Sequence, residues 1–272
     1  MKIPFIKMHG TGNDFIVIDA RKRGVRMTKK LVQRLCHRRF GIGADQVLVV
    51  APSQIADVQM RIFNADGSQV EHCGNGIRCL ARYVTGEGGG KKVLRVETLS
   101  GVSTIKLLGD RVCVDMGPPR LEAEEIPVRA EGRVIARPFA QDGFQMEMTC
   151  VSMGNPHCVI PVEAVEPFPV EGVGPQMERD PFFPNRTNVE FVEFVSRERI
   201  KMRVWERGSG ETWACGTGAC AAAVAGVLLK KTGRKVEVDL KGGVLDIYWD
   251  PRTNHVFLTG PAEEVYRGEI TI

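Results

Sequence analysis

Two stretches of the chain repeat each other at a fixed spacing, and this repeat limits what the chain can fold into. Residues 60–83 read MRIFNADGSQVEHCGNGIRCLARY, and residues 202–225 read MRVWERGSGETWACGTGACAAAVA. Superposed without a gap, Met60 falls on Met202, Arg61 on Arg203, Cys73 on Cys215, Gly74 on Gly216 and Gly76 on Gly218; the offset is 215 − 73 = 142. The same offset carries Gly12-Asn13 onto Gly154-Asn155, Val17-Ile18 onto Val159-Ile160, Gln46-Val47 onto Asn188-Val189 and Gly101-Val102 onto Gly243-Val244. Matches spread over about ninety positions indicate an internal duplication. Two copies of this length are two domains, not a solenoid.

The local patterns agree. Pro4 to Met8 and Phe15 to Asp19 read as strands around His9-Gly10-Thr11-Gly12-Asn13-Asp14. That stretch is either a backbone cradle with the Asn13 carboxamide turned to a ligand, or a tight turn with Asn13 left-handed. Thr28 caps a helix running to Phe40, with Leu31, Val32 and Leu35 on its apolar face. Alternating or apolar runs predict strands at 47–51, 57–63, 93–98, 102–107 and 111–116, and in the second half at 127–128, 145–151, 158–161, 189–195, 200–206, 236–240, 244–249 and 255–259. A helix follows Cys73 to about Thr85, ahead of a flexible Gly86–Gly90 loop, and a short one is expected over 173–179. Gly117-Pro118-Pro119 marks the division. The expected domains are 1–117 with 264–272, carrying Cys73, and 118–263, carrying Cys215.

Composition narrows the setting. The 272 residues are 43% hydrophobic and 26% charged, as in an ordinary globular chain, with a net charge of only +4. Basic residues crowd between Arg21 and Arg39 without a nucleic-acid-binding motif, so a solvated helix face is expected there. No run approaches the roughly 18 apolar residues of a membrane span. The chain opens MKIPFIKMHG, with no long apolar stretch. The eight cysteines therefore read as mostly free thiols of a reducing, cytoplasmic compartment. Cys73-x5-Cys79 and Cys215-x4-Cys220 are not usual zinc spacings. Cys36, Cys113, Cys150 and Cys158 are expected as small core residues, and Cys79 and Cys220 as buried helix residues.

Cys73 and Cys215 stand apart, because each precedes Gly-x-Gly at a helix start. There the macrodipole is expected to lower the thiol pKa, and the free N–H groups of Gly74-Asn75 and Gly216-Thr217 can grip a carboxylate. Duplication is expected to set the two cysteines on opposite sides of a bound ligand. A carbon between them loses a proton to one sulfur and regains one from the other on its opposite face, which inverts its configuration. No lysine or metal motif for activating the substrate is evident.

Glu71-His72-Cys73-Gly74-Asn75-Gly76-Ile77-Arg78-Cys79 closely resembles the diaminopimelate epimerases. The resemblance extends to His9–Phe15, Gly154-Asn155-Pro156-His157, Trp205-Glu206-Arg207-Gly208 and Ala214–Gly218, and covers essentially the whole chain. It implies an α+β fold of two similar domains, each a mixed, mostly antiparallel sheet wrapped around a central helix. It implies cofactor-independent interconversion of LL- and meso-diaminopimelate on the route to lysine and cell-wall precursors, and a homodimer; from spacing and composition, neither a metal, nucleic-acid nor membrane partner is expected. Cys73 and Cys215 become the acid/base pair, with His157 and Glu206 close to the reacting centre. Asn13, Gln46, Asn64, Asn155, Asn188, Glu206 and Arg207 become substrate-binding side chains, and Gly74, Asn75, Gly216 and Thr217 backbone donors. For two ammonium and two carboxylate groups, amide partners, one Arg and one Glu are a sensible set. His72 departs from the family, where Met is familiar. The rival readings are an epimerase resembling proline racemase, a two-domain module that binds a zwitterion, and a zinc protein.

Overall fold

A computed structural model describes residues 2–22, 24–70, 73–87, 91–141 and 144–271. Glu71, His72 and most of the glycine-rich loop lie outside the described residues. The chain divides into two compact units, Met1–Asp115 with Thr259–Ile272, and Met116–Leu258.

The first unit holds strands β1 (Lys2–Gly10), β2 (Asn13–Asp19), β3 (Gln46–Ala51), β4 (Val58–Asn64), β5 (Gln69–Val70), β6 (Val93–Thr98), β7 (Gly101–Leu108) and β8 (Arg111–Asp115), with helices α1 (Lys29–Cys36) and α2 (Gly74–Glu87). The second holds β9 (Arg137–Gln141), β10 (Phe144–Ser152), β11 (Pro156–Pro161), β12 (Asn188–Phe194), β13 (Arg199–Glu206), β14 (Gly210–Thr212), β15 (Lys235–Leu240) and β16 (Gly243–Trp249), with α3 (Val170–Glu178) and α4 (Gly216–Leu228). β17 (Val256–Pro261) leads back to the first unit, where β18 (Glu263–Thr271) pairs antiparallel with β1.

The duplication is visible in strand pairing. β2 runs parallel to β3 with Phe15 opposite Gln46; β11 runs parallel to β12 with His157 opposite Asn188, the same pair 142 residues on. β4 and β6 pair parallel through Val58 and Val96, as β13 and β15 do through Ile200 and Val238. The neighbouring pairs β3–β4, β6–β7, β12–β13 and β15–β16 are antiparallel. Each sheet is thus mixed and wraps one helix. α2 touches β1 to β4 and β6 to β8; α4 touches β10 to β13, β15 and β16.

The helix sequences suit this position. α4 reads GTGACAAAVAGVL, apolar all round, and Gly216 and Gly218 to Gly226 are buried without a break. A helix apolar on every side belongs inside. Its small side chains let strands close on it from several directions. In α2, Ile77, Cys79, Leu80 and Ala81 are fully buried.

Some expectations need correction. The β1–β2 turn is tight, but Thr11 (φ 51°) and Gly12 (φ 83°) take the left-handed conformations; Asn13 already belongs to β2. Thr28 caps α1 through its hydroxyl, 3.2 Å from Leu31 N, yet the helix stops at Cys36 instead of Phe40. His37 turns extended, and Ile42 and Gly43 N–H groups fold back onto the Leu35 carbonyl. Residues 127–128 form no strand; they follow a 3₁₀ turn at Ala123–Glu125. Two basic residues of the 21–39 segment are not simply solvated. Arg21 forks onto Asp19, and Arg38 bridges Asp14 and Asp45. Cys36, Cys150 and Cys158 are buried as expected, while Cys113 is only half-buried.

The close fit around α4 predicts that Ala222→Leu costs about 1–3 kcal/mol by overpacking, read as a lower urea midpoint with unchanged slope.

Candidate active site

Each of the two cysteines caps its helix in the role usually played by Ser or Asp. Gly76 N–H donates to Cys73 Sγ over 3.4 Å, and Gly218 N–H to Cys215 Sγ over 3.4 Å. The carbonyls of Cys73 and Cys215 accept the first intrahelical bonds, from Ile77 and Ala219. Gly74-Asn75 and Gly216-Thr217 then occupy the first turn, where N–H groups have no intrahelical acceptor and favour an anion.

Around half-buried Cys73 the neighbours are amides. The Asn13 Oδ1 lies 3.8 Å from Cys73 Sγ and also accepts from Asn75 Nδ2 at 3.4 Å, while Asn13 Nδ2 donates to Asp45. Asp45 and Asp14 share the Arg38 guanidinium, and Lys7 adds a bond to Asp14 at 2.6 Å and one to the Gly43 carbonyl. Burial pushes the Asp14 carboxyl up, but the Arg38 and Lys7 bonds outweigh it and hold the group well below the carboxylate range. Asn13 is thereby anchored by a fixed charge cluster. Gln46 Nε2 donates to Asn64 Oδ1 at 2.8 Å, and Gln46 Oε1 is buried with no partner among the described residues. Beneath the helix start lies Arg78, fully buried, which donates to Asn75 Oδ1, the Gly74 and Pro261 carbonyls and Thr11.

Around buried Cys215 the neighbours are acidic. Glu206 lies beside the Cys215 thiol and accepts a short bond from the Thr212 hydroxyl. His157 Nδ1 lies 2.7 Å from Glu190 Oε1, and Nε2 lies 3.0 Å from Asn155 Oδ1. Asn188 bonds the Pro156 carbonyl and receives the Arg207 N–H, which locks the corner after β13. The Arg207 side chain is exposed and donates to the Asn185 carbonyl; no ion pair with Glu206 forms. Glu178 steadies the same corner through Trp205 Nε1 and Gly208 N–H.

Electrostatics at Cys215 overturn the expectation that the helix dipole lowers its pKa. Burial, reinforced by the Glu206 and Glu190 carboxylates, pushes the thiol well above its usual value, and the opposing Thr217 and Gly218 bonds are too weak to reverse it. Glu206 is itself raised, first by burial and then by Glu190, against the Thr212 and His157 contributions. Two anions and a sulfur in one dry site favour the sulfur's proton staying on.

Sequence patterns did not single out Glu190, Thr212, Asp45, Lys7 or Glu178. Only Glu190 left a trace, an acidic residue within the apolar run of β12. Among the described residues no cluster of ligating side chains suits a metal, and no helix is long and apolar enough to cross a membrane.

A diaminopimelate epimerase family model matches residues 5–122 and 149–265. A protein of Moorella thermoacetica named diaminopimelate epimerase is 54% identical, covering 98% of this chain and 99% of its own. One of the same name from Pelotomaculum thermopropionicum is 53% identical, covering 97% and 98%. Among solved structures, a hydroxyproline epimerase from Agrobacterium vitis shares the fold at TM-score 0.70 and 14% identity, over 99% of this chain and 93% of that one. A phenazine biosynthesis protein of the PhzF family from Bacillus anthracis does so at TM-score 0.70 and 18% identity, over the full length of both.

The contrast in exposure and charge predicts the order of thiol labelling. Iodoacetamide at pH 8 should carboxamidomethylate half-buried Cys73 before Cys215, and Cys215 labelling should grow only at higher pH, both followed by peptide mass spectrometry.

Proposed function

The chain belongs to the diaminopimelate epimerase family, and from that premise we propose that it interconverts LL- and meso-diaminopimelate by proton transfer at two cysteines, Cys73 and Cys215. One observation carries the reading. The duplicated unit supplies two cysteines that cap their helices with the same 3.4 Å bond from the third residue on. A binding module has no use for two such sulfurs.

In one direction, Cys73 as thiolate takes the α-proton while the Cys215 thiol, kept protonated by burial, Glu206 and Glu190, delivers its proton to the opposite face. The reverse direction exchanges the roles. Gly74, Asn75, Gly216 and Thr217 would hold the α-carboxylate by backbone N–H groups, where the charge released by proton loss accumulates. His157 and Glu206 lie at the reacting centre in this scheme. Glu206, beside the Cys215 thiol, would face the α-ammonium, and Asn155, bonded to His157, would add an amide partner. Asn13, Gln46, Asn64 and Asn188 would bind ammonium and carboxylate groups; the buried, unpartnered Gln46 Oε1 suits an ammonium. The exposed Arg207 would meet the distal carboxylate with a forked pair of bonds. These steps need only side chains and backbone dipoles. The setting is lysine and cell-wall precursor synthesis in the cytoplasm, with the enzyme as a homodimer.

Incubated with LL-diaminopimelate in deuterated water, the protein should place deuterium at the α-carbon and yield the meso form; L-proline should be inert. Cys73→Ala and Cys215→Ala should abolish epimerisation while Cys36→Ala keeps it. Full turnover by either of the first two sinks the assignment. Arg207→Met should lower kcat/KM by on the order of tenfold to a hundredfold, the value of a charged hydrogen-bond pair, with the thermal midpoint unchanged.

A further inference from the structure

The glycine at the third position of each helix makes room for a particular neighbour, and the neighbours differ between the two copies. A Cβ on Gly76 would stand 3.1 Å from Leu48 Cδ2 and 3.3 Å from Phe15 Cε1. A Cβ on Gly218 would stand 2.7 Å from Glu190 Oε1. The offset of 142 carries Leu48 onto Glu190 and Phe15 onto His157 (48 + 142 = 190; 15 + 142 = 157). The same place beneath the helix start is therefore filled by an apolar pair in one copy and by a histidine–carboxylate pair in the other. Glu190 and His157 are fully buried and 2.7 Å apart.

The first copy is an internal control. It shows that this fold closes over the helix start with Leu and Phe, so packing does not demand the polar pair. A buried polar or ionic pair generally stabilises no more than well-packed apolar residues of similar volume. The pair here is also incompletely satisfied, since Glu190 Oε2 has no hydrogen-bond partner among the described residues. A costly group in a position that its sister copy fills with hydrocarbon is there for chemistry.

We propose that Glu190 is a positioning residue of the epimerisation, holding the His157 imidazole by Nδ1 and keeping a negative charge beside Cys215. The inference rests on the two-cysteine reading above. Nδ1 donates to the carboxylate, which fixes the ring plane and presents Nε2 to Asn155. The carboxylate also lies against Gly218, whose N–H caps onto Cys215 Sγ. The groups facing that sulfur are Glu206 from β13, Glu190 from β12, and Thr217 and Gly218 from α4; His157 from β11 faces the two carboxylates. Glu190 is bonded to the histidine and also lies against the first turn of α4.

Four variants test this. Glu190→Leu copies the sister position: its urea midpoint should match or exceed the parent's, while kcat falls about tenfold to a hundredfold, less than the full loss of an acid–base group. Glu190→Gln keeps an acceptor for Nδ1 but removes the charge, and should recover part of kcat. In both, alkylation of Cys215 should begin about one pH unit lower, the scale of a removed neighbouring charge. His157→Phe/Glu190→Leu, the complete sister pair, should be about as active as His157→Phe alone, because a residue that acts through the histidine adds no further loss once the histidine is gone. A parent-like kcat and Cys215 alkylation profile in Glu190→Leu overturns the proposal. So does a loss of kcat in Leu and Gln variants alike that tracks a lowered urea midpoint, which marks a structural role. Alkylation needs no substrate, so its shift stands even if diaminopimelate proves to be the wrong substrate, which separates the two failures.

Discussion

A helix start pressed onto its own sheet is the contact on which the rest depends. At Gly76 and Gly218 the backbone comes so near the neighbouring strands that a methyl group would crowd Leu48 in one copy and collide with Glu190 in the other. That approach sets the preceding cysteine at the helix N-cap, with its sulfur bonded to the third N–H. Any larger residue would lift the helix, and with it both the sulfur and the first-turn amides. The all-round apolar sequence of α4 and the wrapping sheet serve to hold that helix where its first turn matters.

Identical scaffolds do not make identical sites. Cys73 sits among amides held by the Lys7–Asp14–Arg38–Asp45 cluster, above a buried arginine. Cys215 sits among Glu206, Glu190 and His157. The backbone dipole is the same at both, so the difference comes from a few side chains on equivalent strand positions, among them Asn64 against Glu206 and Leu48 against Glu190. At Cys215, burial with two nearby anions outweighs a helix dipole, whose effect is confined to the first turn. In the proposed two-cysteine reaction, where the two sulfurs start a cycle in opposite protonation states, such asymmetry is what the chemistry requires.

Strands with strong apolar periodicity, such as β3, β12 and β15, were legible in the sequence, as was α1 with its Thr28 cap. β18 was not: most of its residues are exposed, and its place comes from the backbone ladder with β1, which leaves no hydrophobic signature. β5 and β14 are too short to show a period. Glu190 escaped notice for a related reason. A lone acidic residue in an apolar strand carries no sign of the histidine it will meet across the sheet, because His157 lies 33 positions earlier and is brought alongside only by the parallel pairing of β11 with β12.

The repeat, its constant offset, the paired Cys-Gly-x-Gly starts and the family motifs were determined by sequence alone, because they are properties of order and spacing. The charge state around each sulfur was decided by the tertiary structure. Burial and the side chains gathered from separate strands are set by how the sheet folds over the helix, and at Cys215 they outweigh the local dipole that the sequence announces.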